Sequence, residues 1–403
     1  MLKLLSTSCL LLALLGCYSN PVTGKKEIAL ISEAQEIALG DEVYLQMQQA
    51  QGGAYLVDQE LQKYVEKVGH AIARESDRPD LPYSFVIVND SVPNAWALPG
   101  GKIAIHRGLL TELKSEAELA AVLAHEIVHS AARHSAKGME RGILMQSALI
   151  GLQQLLKHHK YEELGISSAA ITAGLVSLKY SRMAELEADH YGIKYMVKAG
   201  YDPQAAVSLQ ETFLRLSEDK NPSWLAGLFA SHPPSCERIE ENKKTTALYP
   251  EGGKIGKEEY QKKIRSLLEK QDAYDRLAEG YAFLQEHRYR DALHSAKYAI
   301  AMEPNEAHFY LLKAKAERKL HLLEDARASL DKGIEVNDEF FALYLARGLL
   351  FLSQKDLPSS RKDLEKSLSL LATSTAHLAL GEIELSEGHP ELAQEHFRLA
   401  QSH

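Results

Sequence analysis

The apolar positions of this chain change period along its length. Over 32–49 and 58–74 they recur every three to four residues, which predicts two amphipathic helices. Over 83–89 they alternate and are β-branched, which predicts a strand. The segments 95–98 and 102–106 flank Pro99-Gly100-Gly101, a hairpin signature. A further helix is expected from Ser115, where Glu118 three residues on would complete a capping box, and it runs through His129. Leu119, Val122, Leu123, Ile127 and Val128 make that helix so apolar that it must be buried. Two more helices are predicted, one over 180–198 and one beginning after Pro203.

From about residue 273 the pattern repeats. Gly280, Ala314 and Gly348 lie 34 residues apart, and Gly381 follows after 33. Leu277, Leu311, Leu345 and Leu378 keep one phase, and Ala292, Ala326, Ser360 and Ala393 keep another. Small residues at fixed phases let paired helices approach closely. This is the tetratricopeptide period, and four units exceed the roughly three needed for a stable stack. Residues 241–272 are charged and contain Gly252-Gly253, so they read as a linker. The expected fold is α+β, mostly α: a domain over 17–240 with a small β-sheet, then an α-solenoid of four repeats over 273–403.

Composition narrows the function. The 403 residues suit two or three domains. The net charge of −9, with no long run of one sign, argues against nucleic-acid binding. At the start, Lys3 precedes an apolar run over 4–15 and then Leu14-Leu15-Gly16-Cys17. This reads as a signal over 1–16 and resembles the bacterial lipobox, with Cys17 lipidated. Tyr18, in place of Asp, points such a lipoprotein to the outer membrane by the same resemblance. Of the three cysteines, Cys9 would leave with the signal and Cys17 would carry lipid. Cys236 would then have no disulfide partner and reads as a spectator thiol. Residues 143–156 are apolar but shorter than the roughly 20 residues of a membrane span, and Gln146, Gln153 and Gln154 interrupt them. The lipid is therefore the only membrane anchor expected.

The chemistry centres on His125-Glu126-Ile127-Val128-His129. Four helical steps return to nearly the same face, so His125 and His129 can meet one metal ion. Glu126 lies about 100° round the helix, placed to hold a water rather than the metal. This HExxH arrangement points to zinc, one ion per chain, with Glu126 as the base. A third ligand is needed. His134 is one residue short of the metzincin spacing and has no helix-breaking Gly before it, so it reads as a residue behind a ligand or at the surface. Glu185 is the better candidate. It shares a helix face with Asp189, which can then hydrogen-bond a ligand imidazole. Glu187 is a rival whose face points elsewhere.

These residues, with Ala188 beside Asp189, resemble the gluzincin metallopeptidase family of the BepA, LoiP, HtpX and CAAX-protease type. Asn20-Pro21-Val22-Thr23-Gly24, the run from Asn94 and Ala95 to Gly101, and Ser231-His232-Pro233-Pro234 with Arg238 match its periplasmic branch. The resemblance implies a zincin fold, zinc at His125, His129 and Glu185, and Glu126 as general base. It also implies that Lys102, Ile103, Ala104 and Ile105 form an edge strand to which substrate adds, near Asn94 and Ala95. His232 is expected at the zinc site, either stabilising the oxyanion as a catalytic group or occupying the open coordination position. The implied activity is endopeptidase cleavage of unfolded or misassembled outer-membrane proteins in the periplasm. The array would dock substrate or assembly machinery. The alternative is an assembly factor or chaperone in which proteolysis is secondary. Processing of prenylated proteins is set aside for lack of membrane helices.

Overall fold

The computed structural model describes residues 17–141, 180–218 and 232–401. The signal read over 1–16, the apolar stretch at 143–156 and Ser231 lie outside them. Among the described residues, no helix is long and apolar enough to cross a membrane.

The chain opens with a two-stranded antiparallel ribbon, β1 (Cys17–Ser19) and β2 (Lys26–Ile28). Asn20 holds the turn between them, its Oδ1 accepting from the Val22 and Thr23 amides. Helices α1 (Glu33–Ala50) and α2 (Gln59–Ala73) follow, capped by Ser32 and Asp58. Both stand where their periodicity placed them. Strands β3 (Ser84–Val88), β4 (Ala95–Leu98) and β5 (Lys102–His106) form one sheet in the order β3-β5-β4. β4 and β5 are the expected antiparallel hairpin, turned through Gly100 and Gly101, both at positive φ. A Cβ on Gly100 would also stand 2.7 Å from the Ile37 Cα, so glycine is required there twice over.

The sheet order corrects one expectation. β5 pairs in parallel with β3 on one side and antiparallel with β4 on the other. Lys102, Ile103, Ala104 and Ile105 are therefore central and buried, and cannot receive an added strand. The crossover from β3 returns the chain to the far side of β5, which leaves β4 at the edge.

A short helix α3 (Arg107–Glu112) leads into α4 (Glu116–Ala131). Every residue of α4 is buried, as its apolar pattern required. Ser115 caps it by accepting from the Glu118 amide, while the Glu118 carboxylate accepts from Lys114 rather than closing a box on Ser115. Burying Glu116 is made tolerable by hydrogen bonds from Tyr64 and Tyr201 and by Lys254. α4 stops at Arg133, which takes φ +60°. Asn20 reaches across to donate to the Ala132 carbonyl, so the N-terminal turn closes the end of this helix. α5 (Arg182–Lys198) and α6 (Gln204–Glu218) pack on it, and α7 (Cys236–Thr246) packs on both of these.

Residues 241–272, expected as a linker, are largely helical. They hold the end of α7, all of α8 (Lys257–Glu269) and the start of the next helix. Tyr260, Ile264 and Leu267 recur at helical spacing within the lysine-rich run, and they sit in the same core as Leu119 and Ile127. The charges cover the solvent face only. Four helix pairs follow: α9 (Gln271–Gln285) with α10 (Tyr289–Met302), α11 (Ala307–Lys319) with α12 (Leu323–Val336), α13 (Phe341–Ser353) with α14 (Leu357–Leu370), and α15 (Ser374–Ser386) with α16 (Pro390–Ala400). Ala292, Ala326, Ser360 and Ala393 are buried where partner helices meet.

The array docks on the first domain through a buried polar cluster. Glu306 accepts from Asn89 at 2.9 Å and from Tyr274 at 2.8 Å. Arg107 donates to Asn89 and lies 3.4 Å from the centre of the Tyr274 ring.

Candidate metal centre

α4 and α5 cross so closely that a Cβ on Gly192 would lie 3.3 Å from the His125 backbone nitrogen. Ala188 and Gly192 permit that approach, and Glu185, one and two turns before them, is carried over the two histidines. His125 Nε2 and His129 Nε2 face each other at 3.0 Å. Glu185 lies 3.4 Å from the first and 3.3 Å from the second. His232 enters from the loop before α7, its Nδ1 3.3 Å from His125 Nε2 and 3.1 Å from Glu185. These four residues form a buried cluster able to hold a metal ion.

The spacing itself tests the fit. Ligands about 2.0 Å from a tetrahedral zinc ion lie about 3.3 Å from one another. The measured separations, 3.0 to 3.4 Å, fall around that value. The donor set of imidazoles and one carboxylate suits zinc.

The surrounding groups fix the ligands. Asp189 accepts from His125 Nδ1 at 2.9 Å, which turns Nε2 toward the cluster. Arg238 grips Asp189 with two hydrogen bonds of 2.7 Å and also pairs with Glu185 at 3.0 Å. His134 Nδ1 contacts His129 Nδ1 at 2.9 Å, so it stands behind a ligand rather than in the cluster. Glu187 faces away, pairing with His134 and Lys25. Tyr180 stacks on His129 with ring centres 3.7 Å apart, and its hydroxyl donates to the Ala97 carbonyl of β4. Cys236 is exposed and outside the cluster.

The electrostatics are those of carboxylates seeking a cation. Burial pushes the His125 imidazole down, but Glu185 and Asp189 outweigh it and raise the group to about 10. Burial would raise Glu185, yet His232 and His125 hold it well below the carboxylate range. Burial would likewise raise Asp189, and Arg238 holds it low. For His129, burial wins and holds the imidazole well below its usual range. Burial also raises Glu126, against His232 and His125.

Among the described residues, five buried side-chain atoms have no hydrogen-bond partner. Three of them, Glu126 Oε2, His232 Nε2 and Gln210 Oε1, belong to residues lining one cavity of about 40 Å³ beside the cluster. Ala95 of β4 lines the same cavity. Tyr180 and Gln210 were not singled out from the sequence, and no spacing marks them. Arg238 stood in a matched motif without a role; two buried acids at Glu185 and Asp189 were the signal that a cation had to be near.

Comparisons with known proteins agree with this geometry. Residues 59–246 match the model of peptidase family M48, and 277–335 and 311–370 match a tetratricopeptide repeat. The beta-barrel assembly-enhancing protease of Escherichia coli is 27% identical over 258 residues, 61% of this chain and 51% of its own. The mitochondrial metalloendopeptidase OMA1 of Arabidopsis thaliana is 31% identical over 208 residues, 52% of this chain and 41% of its own. The OMA1 protein of Schizosaccharomyces pombe is 36% identical over 185 residues, 44% of this chain and 51% of its own. The chain thus spans about half the length of the curated relatives it matches.

Proposed function

We propose that this peptidase family M48 domain, with its C-terminal tetratricopeptide repeats, works as a zinc-dependent endopeptidase. One ion per chain would be held by His125, His129 and Glu185. The observation that carries the reading is the convergence of these donors at tetrahedral spacing beside the buried Glu126, whose Oε2 has no hydrogen-bond partner. Zinc supplies a Lewis acid there that brings a water's pKa toward neutrality and polarises a peptide carbonyl. Glu126 takes the proton from the attacking water and returns it to the leaving amine. Asp189 keeps His125 oriented and Arg238 balances the buried acids. Substrate would lie along β4, at Asn94 and Ala95, since β4 is an edge strand and Ala95 lines the cavity at Glu126.

The Escherichia coli relative is named for enhancing beta-barrel assembly, and the substrates proposed here are unfolded or misassembled outer-membrane proteins. A periplasmic location with a lipid on Cys17 fits the N-terminal sequence. The array would then dock substrates or assembly machinery, and the alternative of a factor in which proteolysis is secondary rests on the same array.

Metal analysis and casein cleavage test the proposal. Glu185→Ala should lose stoichiometric zinc, and Glu126→Gln should keep zinc but lose cleavage by at least a hundredfold, in line with the ~10²–10⁴-fold worth of general base catalysis. Full zinc in Glu185→Ala would overturn the ligand set. A cellular phenotype intact in Glu126→Gln would favour the assembly factor.

His232 carries a choice of roles. Its Nδ1 stands at the fourth corner of the donor set, which supports a residue that holds the open position at rest. His232→Ala should then raise casein cleavage. A fall would assign it to the oxyanion, and no change would remove it from both roles.

A further inference from the structure

β4 is an edge strand, and its pairing with β5 fixes which of its backbone groups face outward. Opposite residues of an antiparallel pair alternate between exchanging hydrogen bonds and not exchanging them. The His106 amide donates to the Asn94 carbonyl, so the bonded pairs are Asn94 with His106, Trp96 with Ala104 and Leu98 with Lys102. Ala95 and Ala97 fall between them. They turn their N–H and C=O away from β5, toward the edge that an added strand would use.

Side chains of this chain already hold part of that edge. The Ala95 amide donates to Asn94 Oδ1 at 3.0 Å. The Ala97 carbonyl accepts from the Tyr180 hydroxyl at 3.2 Å and from the Ser135 hydroxyl at 3.1 Å, and the two hydroxyls lie 2.8 Å apart. A carbonyl oxygen has two lone pairs, so two hydroxyls fill it. The Tyr180 ring stacks on His129, so this one side chain spans from the metal cluster to the edge of β4. Ala97 is only 4% exposed, and an added strand reaches it only where a covering group leaves.

A peptide that adds to β4 at the Glu126 cavity meets Ala95, and then Ala97 two residues on, about 7 Å along the strand. Its backbone N–H there needs one lone pair of the Ala97 carbonyl. Ser135 is buried. Tyr180 comes before Ser181, the cap of α5, so turning its side chain out breaks no bond of that helix. Ser135 then keeps one lone pair and the peptide takes the other.

We propose that Tyr180 is the group a substrate displaces, its hydroxyl holding on the Ala97 carbonyl the place that a backbone N–H of an extended polypeptide takes on binding. The inference rests on the reading of β4 as the substrate strand, and it makes Ala97 an anchor beside Ala95. It also selects a substrate class. An unfolded chain has a backbone N–H to offer, whereas a folded helix or paired strand has spent its own.

The test reads binding without cleavage, on the full zinc-loaded chain carrying Glu126→Gln, with and without Tyr180→Phe. Phenylalanine keeps the ring on His129 and removes only the hydroxyl. Fluorescein-labelled casein should bind the Tyr180→Phe chain about three- to tenfold tighter by fluorescence anisotropy, because entry no longer breaks a hydrogen bond. Zinc content should be the same in both chains. Saturating casein should also slow hydrogen exchange over 95–98 in both, through the outward amide of Ala97. Equal or weaker casein binding by the Tyr180→Phe chain would overturn the proposal. So would loss of its zinc, or exchange over 95–98 that casein leaves unchanged. The exchange measurement on the chain that keeps Tyr180 does not depend on how the variant folds. Failure of the native chain to cleave casein would remove the peptidase reading and leave this comparison standing.

Discussion

Asp189 shows how much a residue outside the metal cluster controls it. It fixes His125 through one hydrogen bond and is itself fixed by Arg238 through two. Asp189→Asn keeps the size and removes the charge, so Nε2 of His125 loses basicity and Arg238 is left with Glu185 alone. The expected result is a 10–100-fold weaker metal affinity, read as zinc released at rising chelator concentration. Unchanged affinity would show that the pair serves folding only. At this scale the sequence was legible wherever helical spacing decides who faces whom. His125 and His129, and Glu185 and Asp189, needed only the four-residue step. Tyr180 was not legible, because it reaches His129 through the tertiary fold and no periodicity relates the two.

Between α4 and α5 the working dimension is the interhelix distance. Gly192 sets it, with no room for a β-branched side chain against the His125 backbone. Gly192→Val should push α5 outward and carry Glu185 away from the histidines. Overpacking of this kind costs ~1–3 kcal/mol. The variant should therefore remain folded by circular dichroism while its zinc content falls well below one per chain. Full zinc content would mean that α5 is not what positions Glu185. Elements with one buried face stood where their patterns put them, as α1 and α2 do, and the Pro99-Gly100-Gly101 turn placed the β4–β5 hairpin although both its strands are buried throughout. The place of β5 did not follow from its own residues. A run of five buried positions suits a central strand and an edge packed under a helix equally, and only the pairing with β3 decides between them.

Across the whole molecule, Glu306 ties the array to the sheet. Burial alone would raise its carboxyl, but hydrogen bonds from His308 and Tyr274 hold it at about 2, below the usual 4.5. A depressed carboxylate contributes stability that is fully present above the unfolded value. That contribution fades as pH falls from 4.5 through about 2. It amounts to about 3 kcal/mol. Urea midpoints of the native chain and of Glu306→Gln should thus differ most at neutral pH and converge toward pH 2. A gap that does not change with pH would assign the difference to packing. The repeats themselves were legible from their 34-residue phase. Their attachment was not, because Asn89 and Glu306 are 217 residues apart and each reads as an ordinary polar residue of a loop or helix start.

The core that runs from Ile127 through Tyr260 to Phe309 also bears on how such a molecule can be recombined. A graft that joined this array to another enzyme at the glycines of 252–253 would carry Tyr260, Ile264 and Leu267 away from their sockets. The recipient would inherit an uncovered apolar stripe, and the donor would be left with an open hole under α4. A crossover between α10 and α11 would part the Tyr274–Glu306 bond instead. The portable unit in this chain therefore runs from the peptidase through α8 and the first helix pair into Glu306 and Phe309 of the second, and an exchange point has to lie beyond them.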